Sequence, residues 1–294
     1  MMSDLESVRP ITLSLRAPIQ SLRRACGHES ASHAFPSLFL WQRDMGLSVC
    51  LREKAFAVSC RYRGEGVWFF PCGDAEAVLA FVRDLLDRFP RACFLYLRRE
   101  DVTLLQAHFA GRFRFEPAED ASEYLYDRTA YVTLPGGKNR KIRESIHHLK
   151  SHHELRAQTL HPGLMNEVFA LLEAWKPRTA SGNYSPDRTT ADLLMKNYAA
   201  LDLRGTLVWM DGVPAAVAMG FPLSDRSFDI AFSKAPVREP GLLHYSRRVL
   251  ADTLPDRFTV INGEEDLGIP GLRQAKRLEH PMGQIEMWEA YAEE

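Results

Sequence analysis

Three strand-like runs in close succession constrain this chain more than any other feature of it. Residues 206–210 (Thr-Leu-Val-Trp-Met) and 213–221 are apolar runs joined by Asp211-Gly212, a dipeptide suited to a tight hairpin because both positions tolerate positive φ. A third run covers 227–233. Runs joined this closely pair antiparallel, so the second half must be organised on an antiparallel sheet. Around that core the pattern predicts a strand over 154–160 and a helix over 162–175, with Leu164, Val168, Leu171 and Leu172 on one face. A polar stretch, 176–187, then leads to a helix ending near 200. Trp175 and Tyr184 flank residues 177–186, which read as a lid or as an irregular connection. After the three strands come a helix over 242–254, a strand over 258–261, a short helix, and a final strand over 284–291.

The first half repeats this order less completely. Runs at 48–51, 55–60 and 67–70 predict an antiparallel meander. Pro71-Cys72-Gly73-Asp74 is expected to end the third strand and cap a helix whose stripe is Val78, Phe81, Val82, Leu85 and Leu86. A strand over 92–97, a helix over 101–109 and a strand around 124–126 follow. The acidic stretch 116–122 reads as a linker, and residues before about 34 read as an extension. The expected division is thus 1–34 as an extension packed on the first domain, 35–122 as a degenerate first domain, and 123–294 as the second. Trp41, Trp175, Trp209 and Trp288 fall in apolar runs and are expected in the core.

With 37 basic and 38 acidic residues the net charge is −1, so no global field draws the chain to nucleic acid or an anionic membrane. Any such binding must come from a local patch. Five cysteines (Cys26, Cys50, Cys60, Cys72 and Cys93) form no Cys-x-x-Cys and read as reduced thiols of a cytoplasmic protein. The acidic start lacks the apolar core of a secretion signal, and no stretch approaches the ~20 apolar residues of a membrane span, so no integral membrane segment is expected.

Strand, two helices, three antiparallel strands, helix, strand, helix, strand is the order of the Gcn5-related N-acyltransferase (GNAT) fold. The expected class is therefore α/β (α+β), with two tandem GNAT-like domains, each a mixed, mostly antiparallel sheet flanked by helices. Near the C-terminus, Glu264-Glu265-Asp266-Leu267-Gly268-Ile269-Pro270-Gly271-Leu272-Arg273-Gln274-Ala275-Lys276 resembles the signature of the phosphatidylglycerol lysyltransferase C-terminal-domain-like family. Ser37-Leu38-Phe39-Leu40-Trp41, Tyr124-Leu125-Tyr126, Gly137-Lys138 through Arg143, and Phe232-Ser233-Lys234-Ala235 agree in the same order. One residue departs: Glu279 stands where that resemblance implies an aromatic side chain before His280-Pro281.

The resemblance implies two tandem acyltransferase domains and transfer of an aminoacyl group from aminoacyl-tRNA, with no resident cofactor, to an amine or hydroxyl acceptor such as a lipid head group or peptide amine. An acyl-coenzyme A-dependent N-acyltransferase and a non-catalytic module binding tRNA or a head group are the alternatives. Asp266 and Glu265 are candidates for holding an ammonium, although Asp266 also reads as a helix N-cap. Arg273 and Lys276 are placed to steady phosphate or those carboxylates. Lys234, at a strand end, reads as an oxyanion or phosphate partner, or as an exposed lysine. Arg238-Glu239-Pro240-Gly241 occupies the position of a pyrophosphate loop but is half formed, with Leu243 where a small residue is wanted. Lys138, Lys141 and Arg143 lie on a basic helix that reads as a phosphate-binding face for tRNA or a head group, or as a solvated surface. His148 and His152 stand one turn apart with no third ligand, so no metal is expected. The site is expected in the cleft between the two domains.

Overall fold

The computed structural model describes residues 8–175, 193 and 196–293; the stretch 177–186, with Tyr184, and most of the helix expected up to residue 200 lie outside the described residues. The chain divides into two compact units. One comprises the chain up to Glu123 with Glu265–Gly268 and the segment from Gln284; the other comprises Tyr124–Glu264 and Ile269–Gly283. Each is built on a mostly antiparallel sheet flanked by helices.

In the first unit, β1 (Leu47–Leu51), β2 (Ala55–Cys60) and β3 (Val67–Gly73) form the expected antiparallel meander. The helix α3 (Ala75–Arg88) crosses over to β4 (Cys93–Leu97), which pairs parallel with β3, as a parallel pair requires. Asp74 caps α3 by accepting from the Glu76 and Ala77 amides. The apolar stripe of α3 packs with Trp68, Phe70 and Phe94. Beyond β4 lies the chain's last strand, β13 (Trp288–Ala292), antiparallel to both β4 and β5 (Phe113–Pro117).

Several expectations for this half are corrected. Strand β3 runs on through Pro71 and Cys72 to Gly73. It can do so because β4 pairs only with Val67, Trp68 and Phe69, and the ladder to β2 shifts register there, so the missing Pro71 N–H breaks no bond. Gly73, at φ 151°, lets the Lys54 carbonyl approach to where a Cβ would be 2.2 Å away. The segment before 34 holds a helix that the sequence reading lacked: α1 (Arg16–Ala25) buries Ile19 and Arg23, and α2 (Phe35–Trp41) follows after the loop 26–34. The helix after β4, α4 (Arg99–His108), starts two residues early, because Asp101 reaches back to the Arg98 amide.

In the second unit the sheet order is β12-β6-β11-β10-β9-β8-β7. Strands β7 (Leu155–Thr159), β8 (Arg204–Met210), β9 (Val213–Pro222) and β10 (Ser227–Lys234) pair antiparallel, with α7 (Met165–Ala174) between β7 and β8 in the chain. The helix α8 (Leu242–Thr253) crosses over to β11 (Val260–Asn262), which runs parallel to β10. β6 (Glu123–Asp127) then pairs antiparallel with β11. After β6 come α5 (Arg128–Thr133) and α6 (Arg140–His152); after β11 come α9 (Pro270–Leu278) and β12 (Gly283–Ile285). The last strand expected over 284–291 is therefore two strands, β12 and β13.

Phe228, Leu250, Phe258 and Ile261 form one core cluster, and Leu149, Val208, Ala216 and Leu242 another. Of the four tryptophans assigned to the core only Trp209 is buried; Trp41, Trp175 and Trp288 are half-buried. No helix among the described residues is long and apolar enough to cross a membrane.

Candidate functional site

Strands β10 and β11 pair over three residues only, ending at Asp229↔Asn262. Past that point β10 continues to Lys234 on β9 alone, so the sheet opens at the carboxyl ends of its one parallel pair. Such an opening leaves strand-end backbone and side chains for a ligand. Asp229 and Asn262, at the last paired position, are fully buried. Lys234 leaves the end of β10 half-buried, with its ammonium 3.9 Å from the centre of the Trp175 ring and 5.2 Å from that of Phe232. A cation held on a ring face loses water without losing charge, which suits it to meet an anion.

From β11 the chain enters the signature. Gly263 and Glu264 bend sharply, with Glu264 at φ 60°, a left-handed conformation costly for a residue with a side chain. Five bonds hold the bend within this unit: the Glu264 amide donates to Asn262 Oδ1 at 2.7 Å, the Gly263 amide donates to the Tyr124 carbonyl, the Tyr124 amide donates to the Glu264 carbonyl, and Lys276 Nζ donates to the Gly263 and Glu264 carbonyls. Lys276 is itself buried, and its own carbonyl accepts from the Tyr126 hydroxyl at 3.1 Å. Its ammonium thus braces the strained bend.

Asp266 does not cap the helix. The N-cap of α9 is Ile269, with Pro270 in the first turn, because proline's fixed φ sets the start three residues late. Within the first unit, Asp266 is buried and accepts from the Gly268 amide at 3.0 Å, while the Leu267 amide donates to the Asp120 carbonyl. Glu265 is half-buried and contributes to raising the Tyr96 hydroxyl, after burial itself. Arg273 lies half-buried in the early part of α9.

The loop before α8 offers few donors. Pro240 has no N–H, the Leu242 amide is spent on the Glu239 carbonyl at 3.2 Å, and Arg238 is exposed. Gly241, at φ 85°, is buried against α6: a Cβ there would lie 2.6 Å from the Ser145 carbonyl. Its glycine is required by packing. In the basic segment, Arg143 Nη1 donates to the Leu134 carbonyl at 2.5 Å and the Gly136 carbonyl at 2.6 Å, closing the end of α5. Lys138 and Lys141 are exposed, and the Lys138 carbonyl binds His280 Nε2 at 2.9 Å. Among the described residues no cluster of three or more metal-ligating side chains occurs.

Sequence reasoning missed a buried cluster of charges in this unit. Glu279, 5% exposed, takes His244 Nδ1 at 2.8 Å, the Tyr131 hydroxyl at 3.2 Å, Arg248 Nη1 at 3.3 Å and Arg247 Nη1 at 3.7 Å. Burial would raise its pKa, but the His244 bond and the two guanidinium charges outweigh burial and pull it to about 2. Arg248 also lies over the Tyr131 ring, 4.5 Å from its centre. His244, Arg247 and Arg248 fall on one face of α8, at i, i+3 and i+4. His244 is held through Nδ1 and sits in the first turn of α8, beside amides that the helix leaves unbonded. The sequence signal was the departure at Glu279.

The family described as "Phosphatidylglycerol lysyltransferase, C-terminal" matches residues 23–291. No curated protein matches the sequence. Among solved structures, a conserved protein of unknown function from Bacteroides thetaiotaomicron is similar at a TM-score of 0.88 and 23% identity, over 98% of this chain and 99% of that one. L-PGS from Bacillus licheniformis is similar at 0.64 and 16%, over 94% and 91%. A tandem GNAT protein from the clavulanic acid biosynthesis pathway gives 0.50 and 11%, over 96% and 95%. These likenesses show a GNAT-like fold.

Proposed function

We propose, for a chain that belongs to the phosphatidylglycerol lysyltransferase C-terminal family, that it transfers an aminoacyl group from aminoacyl-tRNA to an amine or hydroxyl acceptor. Family and fold support an acyltransferase-type activity. In this reading the two units are tandem GNAT-like domains, which is supported by both sheets running as an antiparallel set, one parallel pair and an inserted strand. In this reading 35–122 supports and 123–294 carries the chemistry, in the cytoplasm where charged tRNA is found.

The observation that carries the donor is the N-terminus of α8. A pyrophosphate needs several backbone donors converging on it. Pro240 supplies none, the Leu242 amide is taken, and Glu239 adds a negative charge, so the loop is a poor cradle for coenzyme A. A tRNA phosphate backbone asks instead for separate cations, and Lys138, Lys141 and Arg238 are exposed to meet it. Acyl transfer requires a deprotonated acceptor and a stabilised oxyanion. We assign the first role to His244, oriented by Glu279, and the second to Lys234. Glu265 and Asp266 hold the ammonium of the aminoacyl group, with Arg273 and Lys276 keeping the signature in place and Arg143 and Gly241 fixing the helices that carry the basic face.

Thermal shifts with mixed aminoacyl-tRNA and with acetyl-coenzyme A test the donor. The proposal expects stabilisation by charged tRNA that weakens steeply with salt and is reduced in Lys138→Ala/Lys141→Ala. Stabilisation by acetyl-coenzyme A with tRNA inert would replace it with an ordinary acyltransferase.

A further inference from the structure

The first unit holds two thiols in contact. Cys26, just past the end of α1, and Cys72, near the end of β3, place their sulfurs 3.5 Å apart although 46 positions separate them in the chain. Their settings differ. Cys72 is buried, at 2% exposure, while Cys26 is half-buried and so within reach of a small solute. Cys26 Sγ also lies 3.3 Å from the Arg23 carbonyl. Arg23 is fully buried and donates to the His28 carbonyl. Arg98 holds Asp101 through two bonds, of 2.9 and 3.0 Å, and Glu100 through a third, at 2.9 Å.

We propose that Cys26 is an oxidant-reactive thiol, with Cys72 as its resolving partner, and that hydroperoxides convert the pair to a disulfide. The Cys26 sulfur attacks a peroxide oxygen: an S–O bond forms, the O–O bond breaks, and two electrons pass from sulfur to the peroxide, which leaves as water or an alcohol. The Cys72 sulfur then attacks the Cys26 sulfur. The S–S bond forms, the S–O bond breaks, and the departing hydroxide takes the thiol proton as water. Closing from 3.5 Å to a bond of about 2 Å asks each sulfur to move by less than one ångström.

The electrostatics favour this division of roles. The hydrogen bond from Cys72, against the opposing effect of burial, together with the Arg98 charge and the His28 amide, brings the Cys26 thiol down to about 6. The same bond and deeper burial push Cys72 well up, so it keeps its proton until it resolves the intermediate. The other three thiols lack such help. Burial and Glu289 push Cys93 up to about 11, burial raises Cys60, and Cys50 is inaccessible.

The test uses the full chain, reduced, with hydrogen peroxide as the probe. The intact oxidised protein should be lighter by about 2 Da, and peptide mass spectrometry after alkylation should find one cross-link, between the peptides holding Cys26 and Cys72. In Cys72→Ser the oxidised Cys26 should persist and be trapped by dimedone. On the unmodified chain at pH 7, iodoacetamide should label Cys26 at least about tenfold faster than Cys93, a readout independent of how the variants fold. Equal labelling rates, or peroxide acting at other cysteines, would overturn the proposal.

Discussion

Glu279 shows how far a single charge in this chain depends on its neighbours. A carboxylate at 5% exposure is stable only because His244, Arg247, Arg248 and Tyr131 converge on it. Glu279→Gln keeps the shape and removes the charge, leaving guanidiniums buried without their counter-ion; the expected loss in urea unfolding is on the order of 3 kcal/mol. The sign with pH follows from the depressed pKa. With about 2 in the fold against 4.5 unfolded, the contribution of Glu279 is complete above pH 4.5 and disappears as pH falls toward 2. The variant should lack this part of the acid slope, and an unchanged slope would show that the buried charge adds nothing. In the sequence Glu279 was legible only as a departure from a resemblance, because partners 31 and 35 positions away leave no local pattern. Asp266 was misread for the opposite reason: a local rule made it a cap, and Pro270 overrode that rule.

Among the elements, those with continuous apolar runs were readable to within two residues. Strands β8, β9 and β10 match the runs at 206–210, 213–221 and 227–233 because both faces of a central strand must be apolar. Helix α1 was not readable, since it is rich in arginine and makes its contacts through Ile19 and a buried Arg23. The loop after it carries an unexpected burden. His28 and His33 are buried there with ring centres 4.3 Å apart, and His33 Nε2 bonds the Phe70 carbonyl at 2.9 Å. Burial, partly opposed by that bond and reinforced by Arg98 and Arg23, lowers His33 to about 3, and burial with the His33 charge lowers His28. From pH 6.5 downward the unfolded chain therefore binds protons that the fold refuses. Stability should fall by up to about 1.4 kcal/mol per pH unit for each histidine. Urea midpoints between pH 7 and pH 4 measure this, and His33→Asn should remove roughly half of the slope. A slope equal in the two proteins would mean that His33 already titrates as in water.

For the whole molecule, the repeated order of strands was visible in the sequence, but the origin of each sheet's inserted strand was not. β13, from the end of the chain, lies between β4 and β5, and β6, from before the second meander, lies between β11 and β12. Short runs such as Tyr124-Leu125-Tyr126 carry no mark of the partner they will join, which is decided by topology. The candidate chemistry divides in the same way. Lys234 and the signature were found from their residues, whereas the brace at Lys276, the packing role of Gly241 and the His244–Glu279 pair needed coordinates. The most direct test of aminoacyl transfer is to incubate the protein with tRNA charged by radiolabelled amino acids and with phosphatidylglycerol vesicles or simple amines, then follow the label. The account predicts label moving from tRNA to an acceptor in the wild type and lost in Asp266→Asn and His244→Asn. Label that stays on tRNA with every acceptor, while acetyl-coenzyme A supports acetylation of the same amines, would contradict it.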